Sequence, residues 1–286
     1  MFRSDLALEQ SESMDQLPGG VESENLTVGE AKITRIKVVT QEGAEKMGKP
    51  VGNYITIELP PFSTEGTMDE DKLSAVKNEI SRLIPAEGLI LIIGIGNVEI
   101  TPDALGPKAA ATVLATRHIS PELAMASGLG NLRPVAVLSP GVLGQTGIET
   151  GEILKGLVDK VKPSGVIVID ALASRKLSRL GNTIQISDTG ISPGAGVGNM
   201  RNEINSVTLG VPVIAIGVPT VVDASTMVSD ITGGQNLNEN DEMGKMMVTP
   251  REIDLLIEHA AVMISHSINC ALHPHLSSDD LLALVS

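Results

Sequence analysis

The sequence predicts a mostly parallel α/β sheet flanked by helices in three layers, and three observations predict it. Residues 89–93, 165–169 and 211–216 are apolar, largely β-branched runs with the composition of strands buried on both faces. Segments with helical spacing alternate with these runs, as crossover connections between parallel strands require. Aromatic residues are nearly absent, with no Trp, one Tyr and two Phe, so a core must be packed from Val, Ile, Leu, Ala and Met. At 42% hydrophobic residues there is ample material for one.

The elements follow in chain order. Residues 6–30 are polar and acidic, contain Pro18-Gly19-Gly20, and show no convincing period; they read as a mobile arm. Residues 31–39 and 53–59 alternate as strands, with a short helix over 41–47 between them that Gly48 and Pro50 end. Pro60-Pro61 breaks the chain, and 69–83 is an amphipathic helix. Strand 89–93 leads through Gly94-Ile95-Gly96 into a helix over 103–118, with Thr101 as N-cap and Pro102 at the first helical position. A Gly- and Pro-containing loop precedes strand 134–138, loop 139–147 and a helix over 148–160. Strand 165–169 is followed by a short helix after Arg175, a strand over 183–187, the strand at 211–216 and another short helix after Ala224. Residues 233–247 are polar and turn-rich and read as an exposed loop. Thr249-Pro250 opens a last helix over 251–269, with Ile253, Leu256, Ile257, Ala260, Ile264 and Ile268 on one face. His273-Pro274-His275 reads as a solvated tail. Residues 6–286 are thus expected to form a single domain.

Charge and cysteine usage narrow the function. The net charge of −14, with no basic block, disfavours a nucleic-acid surface, which needs clustered Lys and Arg. A lone cysteine, Cys270, permits neither an intramolecular disulfide nor a Cys-based zinc site. No charged segment followed by an apolar run opens the chain, and no apolar run approaches the length of a membrane span. A cytoplasmic protein without membrane or direct nucleic-acid partners is expected, and the five histidines show no zinc-ligand spacing, so no metal and no cofactor is expected.

Chemistry is suggested by two carboxylates. Asp103 stands in the first helical turn beyond strand 89–93, and Asp170 ends strand 165–169. The carboxyl ends of the strands are where ligands collect in open α/β sheets. An acid in a first turn is most simply a partner of the helix dipole. An acid ending an apolar strand caps or binds something. Two carboxylates brought together share a proton, so one can activate water while the other protonates a leaving group. Two glycine-bearing loops are candidates to hold a substrate: 139–147, with Gly141 and Thr146, and 187–199, with Asp188, Gly194 and Gly196. Gly94-Ile95-Gly96-Asn97 lacks the third glycine of a dinucleotide loop, and Asp103 puts negative charge where a phosphate would sit.

Longer blocks carry a resemblance. Thr101-Pro102-Asp103-Ala104-Leu105-Gly106-Pro107-Lys108, Pro140-Gly141-Val142 with Thr146-Gly147-Ile148-Glu149-Thr150, and Ile169-Asp170-Ala171-Leu172-Ala173 resemble the germination (spore) proteases of endospore-forming bacteria. So do Ile184-Gln185-Ile186-Ser187-Asp188, Val211 to Asp223, and Val248-Thr249-Pro250-Arg251-Glu252-Ile253-Asp254. The resemblance implies an endopeptidase that degrades small acid-soluble spore proteins during germination, a fold like the hydrogenase-maturation peptidases, and a homotetramer in the spore core. It implies that Asp103 and Asp170 are the catalytic pair. It further implies a zymogen, with a propeptide of residues 1–5 cut between Asp5 and Leu6 in Ser4-Asp5-Leu6-Ala7-Leu8-Glu9. On this reading the arm blocks the cleft until processed, while loops 139–147 and 187–199 hold the substrate and steady the oxyanion through backbone amides. A metal-assisted peptidase of the same fold and a noncatalytic module that binds spore proteins are the alternatives.

Overall fold

The 89–93 run becomes β4 (Ile90–Gly94), buried along its whole length, and the sheet is built outward from it. In this computed structural model, residues 4–64, 69–194, 202–232 and 246–285 are described. β5 (Val135–Leu138) and β6 (Gly165–Ser174) flank β4 in parallel, and β8 (Val213–Asp223) lies parallel to β6. Beyond β8 the pairing turns antiparallel, through β7 (Thr183–Ser187), β3 (Gly52–Glu58), β2 (Ala31–Val38) and β1 (Val21–Val28). The sheet order is β1-β2-β3-β7-β8-β6-β4-β5, with β9 (Met247–Val248) on the end of β8. The parallel strands are thus one half of a mixed sheet, and the site lies in that half.

Side chains alternate between the two faces, and each face has its own cover. Ile57, Ile92, Ile167, Ile169, Ile184, Ile186 and Ile216 pack beneath α3 (Glu70–Leu83), α4 (Leu105–Ala111) and α10 (Ile253–Leu272). On the opposite face of the parallel half, Leu91, Ile93, Val166, Val168 and Val213 meet Leu154 and Val158 of α7 (Thr150–Val161) and Leu209 of α8 (Ser206–Leu209). On that face of the antiparallel half, Ile36, Val38 and Tyr54 are covered by α1 (Ala7–Glu12) and α2 (Gln41–Met47). Short helices α5 (Pro121–Ala126), α6 (Leu143–Thr146), α9 (Ala224–Thr232) and α11 (Ser278–Val285) and a 3-10 turn (Leu177–Arg179) lie between or after these elements. Helix on sheet on helix is the three-layer arrangement expected.

Several local expectations are corrected. Residues 6–30 are not a mobile arm: Leu6, Ala7, Leu8 and Glu9 are buried, and 21–28 form an edge strand. That strand was illegible because it is held by its ladder to β2 and buries almost no side chains, so it carries no apolar alternation. The helix expected over 103–118 is shorter. A 3-10 turn (Thr101–Asp103) precedes α4, Thr101 does not cap it, and α4 stops at Ala111. There Asn269 takes over the departing backbone, donating Nδ2 to the Thr112 carbonyl at 3.1 Å and accepting the Leu114 N–H at 2.9 Å. His273 is no solvated tail; it is fully buried, and burial pushes its imidazole down to about 4. The α10 helix, 20 residues long, is long and apolar enough by length and composition to cross a membrane, but 78% of its 18-residue apolar window is buried in the fold, as in a core helix. Of the loop expected at 233–247, residues 233–245 lie outside the described residues, and Met247 begins β9.

Candidate active site

The Asp103 turn is fixed by close backbone packing. The Ile95 N–H donates to the Ile169 carbonyl at 2.8 Å, which ties the loop after β4 to β6 one residue before Asp170. Gly106 opens α4 against these same strand ends. A Cβ there would lie 2.1 Å from the Ile95 oxygen and 2.4 Å from the Ile169 oxygen, so no side chain can be accommodated. Gly96, at φ 131°, brings the backbone within reach of the Asp103 carbonyl, where a Cβ would sit 1.9 Å away. The Asp103 carboxylate is partly buried, and its Oδ2 accepts the Asn97 N–H at 2.7 Å. Burial raises its pKa, and the Asn97 hydrogen bond opposes the rise.

Asp170 is in a harsher place. It is 4% exposed, and its Oδ1 accepts only the N–H of Ala171, at 2.9 Å. Burial raises its pKa well above the carboxylate range; the charge of Asp103 adds to this, the Ala171 N–H opposes it, and Asp5 adds further. A buried carboxyl with one backbone donor and a second carboxylate nearby is shifted toward its protonated form. The sequence-predicted pair is therefore brought together, with its two members in unequal surroundings.

The N-terminal segment reaches the same strand. The Asp5 N–H donates to the Ala173 carbonyl at 3.0 Å, and the Ala173 N–H returns to Asp5 Oδ2 at 2.8 Å. The Asp5 carbonyl oxygen accepts two donors, Lys49 Nζ and Gln185 Nε2, each at 2.9 Å. Gln185 Oε1 in turn accepts the Ala7 N–H at 2.9 Å. Further along, the Glu9 carboxylate accepts the Arg175 N–H at 2.7 Å and the Lys176 N–H at 2.9 Å, faces Arg179 Nη1 at 3.4 Å, and takes the Ser4 hydroxyl. A cavity of about 360 Å³ adjoins the segment, lined among others by Asp5, Lys49, Tyr54, Leu172, Gln185 and Gly217.

Comparison with known proteins now becomes decisive. The family model described as germination protease matches residues 3–235. The germination protease of Caldanaerobacter subterraneus is 45% identical over 319 residues, covering 99% of this chain and 98% of that protein. The chain belongs to the germination protease family. The germination protease of Clostridium perfringens is 42% identical over 98% of this chain and 97% of that protein, and that of Bacillus subtilis is 36% identical over 98% and 95%. Among solved structures, the [NiFe] hydrogenase maturation protease HycI of Thermococcus kodakarensis is matched over 65% of this chain and 98% of that chain, at 20% identity and a TM-score of 0.34, a likeness too loose to argue from.

As a germination protease family member the chain is a peptidase, and its other predicted site residues fall as follows. The loop with Gly141 and Thr146 meets the Asp103 turn, since Gln145 Nε2 donates to Asn97 Oδ1 at 2.7 Å. Thr146 itself bonds within the loop, to Val142 and Ile148. Asp188 is engaged with Asn53, accepting its N–H at 2.7 Å and its Nδ2 at 2.6 Å, which anchors the start of β3. Gly194 is a turn residue at φ 75°, and Gly196 lies outside the described residues. Among the described residues, no group of three or more His, Cys, Asp or Glu side chains is arranged to hold a metal ion. Sequence reasoning missed Lys49, Gln185 and Glu9. The one available signal was Gln185, a polar amide in a central strand whose two neighbours, Ile184 and Ile186, face the core.

Proposed function

We propose that this chain is an aspartic-type endopeptidase of small acid-soluble spore proteins, made as a zymogen that cuts its own Asp5–Leu6 bond. The reading rests on one observation above the rest: Asp170 is 4% exposed, and burial together with the nearby charge of Asp103 raises its pKa well above the ordinary carboxylate value, while Asp103 is less buried. Asp103, the less buried partner, takes a proton from water as the oxygen attacks the scissile carbonyl carbon. Asp170 gives its proton to the leaving nitrogen as the C–N bond breaks. The products are a carboxylic acid, which then releases its proton to the medium, and a free amine, and the pair regains its starting state by exchanging one proton between its members. One proton on two carboxyls is required, so the rate falls both when the pair is fully protonated and when it is fully ionised.

The N-terminal contacts support the zymogen reading. Leu6 is fully buried and Asp5 is bonded on both sides of its carbonyl, so residues 4–9 lie along the groove that a substrate would need. Burial raises the Asp5 pKa, opposed by the Ala173 N–H and by Lys49. A homotetramer in the spore core belongs to the same proposal, with the spore proteins as substrates and neither membrane nor nucleic acid as partner.

The test is digestion of a purified small acid-soluble spore protein by the full chain, with and without a chelator. Wild type should yield fragments at the same rate in both, and Asp103→Asn or Asp170→Asn should lower that rate by about 10³-fold or more. Wild-type rates in either variant would remove the pair from the mechanism. Loss on chelation, restored by a divalent cation, would replace it with a metal-assisted one.

A further inference from the structure

We propose that Lys49 and Gln185 form the carbonyl clamp of this peptidase, holding the oxygen of the residue whose bond is cut and stabilising the charge that develops there. The inference rests on the reading of Asp5–Leu6 as a cleaved bond, and it replaces the loop amides expected from the sequence as the oxyanion donors.

Three observations carry it. First, the Asp5 carbonyl oxygen is met by an ammonium and an amide donor, both at 2.9 Å and both partly buried. Most backbone carbonyls find one backbone partner; two convergent side-chain donors on one oxygen is how sites that stabilise an oxyanion are built. Second, the Gln185 amide spans the bond. Its Nε2 donates to the Asp5 oxygen while its Oε1 accepts the Ala7 N–H, so it grips the backbone on both sides of Leu6 without reading a side chain. Such a grip accepts any extended peptide and sets its register. Third, the sheet aligns the clamp with the carboxylate pair. Asp170 pairs with Gly217 across β6 and β8, and Gly217 pairs with Gln185 across β8 and β7. Since Ile169, Ile184, Ile186 and Ile216 face the opposite core, Asp170 and Gln185 share one face of one cross-strand row. Two strand spacings separate their backbones by about 10 Å. Gly217 between them has no side chain, which lets Leu172 of β6 pack over it, where a Cβ would lie 2.6 Å from the Leu172 Cγ; Leu172, Gly217 and Gln185 together line the cavity beside Asp5.

Lys49 is held for this task by its neighbours. Gly48 closes α2 in the left-handed conformation at φ 64°, and the Lys49 N–H bonds back to the Ala44 carbonyl at 3.2 Å, which fixes where the side chain starts. Burial lowers the ammonium's pKa, and the Asp5 and Glu9 carboxylates oppose that loss of charge. In the reaction, the water oxygen bonds to the carbonyl carbon and the C=O electron pair moves onto the oxygen. Lys49 and Gln185 hold that oxyanion until the C–N bond breaks, the pair returns to the carbonyl and the nitrogen takes a proton from the carboxyl pair. Neither residue gains or loses a proton.

The alternative is that both residues only tether the N-terminal segment. The test uses the full chain and a synthetic peptide with the sequence of residues 2–12, in wild type, Lys49→Met, Lys49→Arg, Gln185→Ala, Asp103→Asn and Asp170→Asn. The clamp predicts that Lys49→Met lowers kcat on the peptide by about 10²–10³-fold with KM within about threefold, and that Lys49→Arg recovers about a tenth of the wild-type rate or more. A second peptide, N-methylated at the alanine matching Ala7, lacks the N–H that Gln185 accepts. It should be cut about tenfold more slowly by wild type, and Gln185→Ala should cut both peptides equally slowly. This cycle depends on wild type as well as on a variant, so misfolding of Lys49→Met cannot produce it. If Lys49→Met and Gln185→Ala cut within about threefold of wild type while the aspartate variants are dead, the clamp is wrong and the carboxylate mechanism stands. If methylation slows Gln185→Ala as much as wild type, the Gln185 contact is only a tether. Asp103→Asn and Asp170→Asn cutting at wild-type rate would bring down the underlying mechanism instead.

Discussion

The two halves of the sheet are held by different physics. In the parallel half, β4, β6 and β8 are apolar on both faces and buried throughout their central stretches, with Ile92, Ile167 and Ile169 on one side and Ile93, Val166 and Val168 on the other. In the antiparallel half, β1 is an edge held by its hydrogen-bond ladder, and the face of β7 and β3 that carries Gln185 and Thr56 is covered by the chain's own N-terminal segment through polar contacts. The parallel half supplies rigid strand ends for two carboxyls. The antiparallel half supplies a groove in which a peptide backbone is gripped. On the proposed reading, chemistry and substrate grip come from opposite sides of the β7–β8 seam, and the difference is open to test on each side.

The largest effect is expected where the parallel half is tightest. Gly106→Ala forces a methyl against the Ile95 and Ile169 carbonyls, both main-chain atoms that cannot rotate away. It should cost about 3 kcal/mol of stability, seen as a lower midpoint in urea titration, and should lower kcat about 10²-fold by shifting the Asp103 turn. Unchanged kcat would mean that the turn is not held by this contact.

A smaller effect is expected in the antiparallel half. Glu9, 3% exposed, accepts the main-chain N–H groups of Arg175 and Lys176 and faces Arg179, itself 4% exposed, whose closer ion-pair partner is Glu12. Glu9→Ala leaves two N–H groups and part of a buried guanidinium unmatched. It should destabilise by about 2–3 kcal/mol and should expose the chain near residues 10–20 to limited proteolysis before the rest unfolds. Loss of resistance over the whole chain at once would show that the N-terminal segment is not a separable unit.

The smallest effect has the opposite sign. Because the folded-state pKa of Asp170 lies above its unfolded value, the folded chain binds the extra proton between the two. This carboxyl therefore destabilises the fold as pH rises from about 4, its unfolded value, through its raised folded value. Asp170→Asn keeps the hydrogen bond from Ala171 and removes the charge. It should raise Tm by a few degrees at pH 7, with the gain shrinking to nothing near pH 4. A Tm lowered at pH 7 would mean that Asp170 is ionised and paired instead.

Legibility in the sequence follows the same division. The strands leading to Asp103 and Asp170 announced themselves as apolar runs, one ending in its acid and the other passing through glycines into the turn that carries it, and the short helix at 41–47 and the strand at 183–187 were bounded correctly because Gly48 and Pro50 end the first and the Thr-Ile-Gln-Ile-Ser alternation marks the second. Lys49 and Gln185 could not be found that way. Their partner is the backbone of Asp5, and for Gln185 it is 180 positions away in sequence, so no local pattern records the contact. The acidic start of the chain looked solvated for a similar reason: Asp5 and Glu9 are satisfied by main-chain N–H groups of Ala173, Arg175 and Lys176, which composition does not reveal.

If the mechanism proposed above holds, the Asp103–Asp170 pair performs the cut in the chain's own N-terminal segment. The most direct measurement is the intact mass of the purified full chain, held at mildly acidic pH, for wild type and Asp170→Asn. Wild type is expected to lose residues 1–5 with time and Asp170→Asn to keep them; loss of the same five residues at the same rate from both would remove the carboxyl pair from the cut.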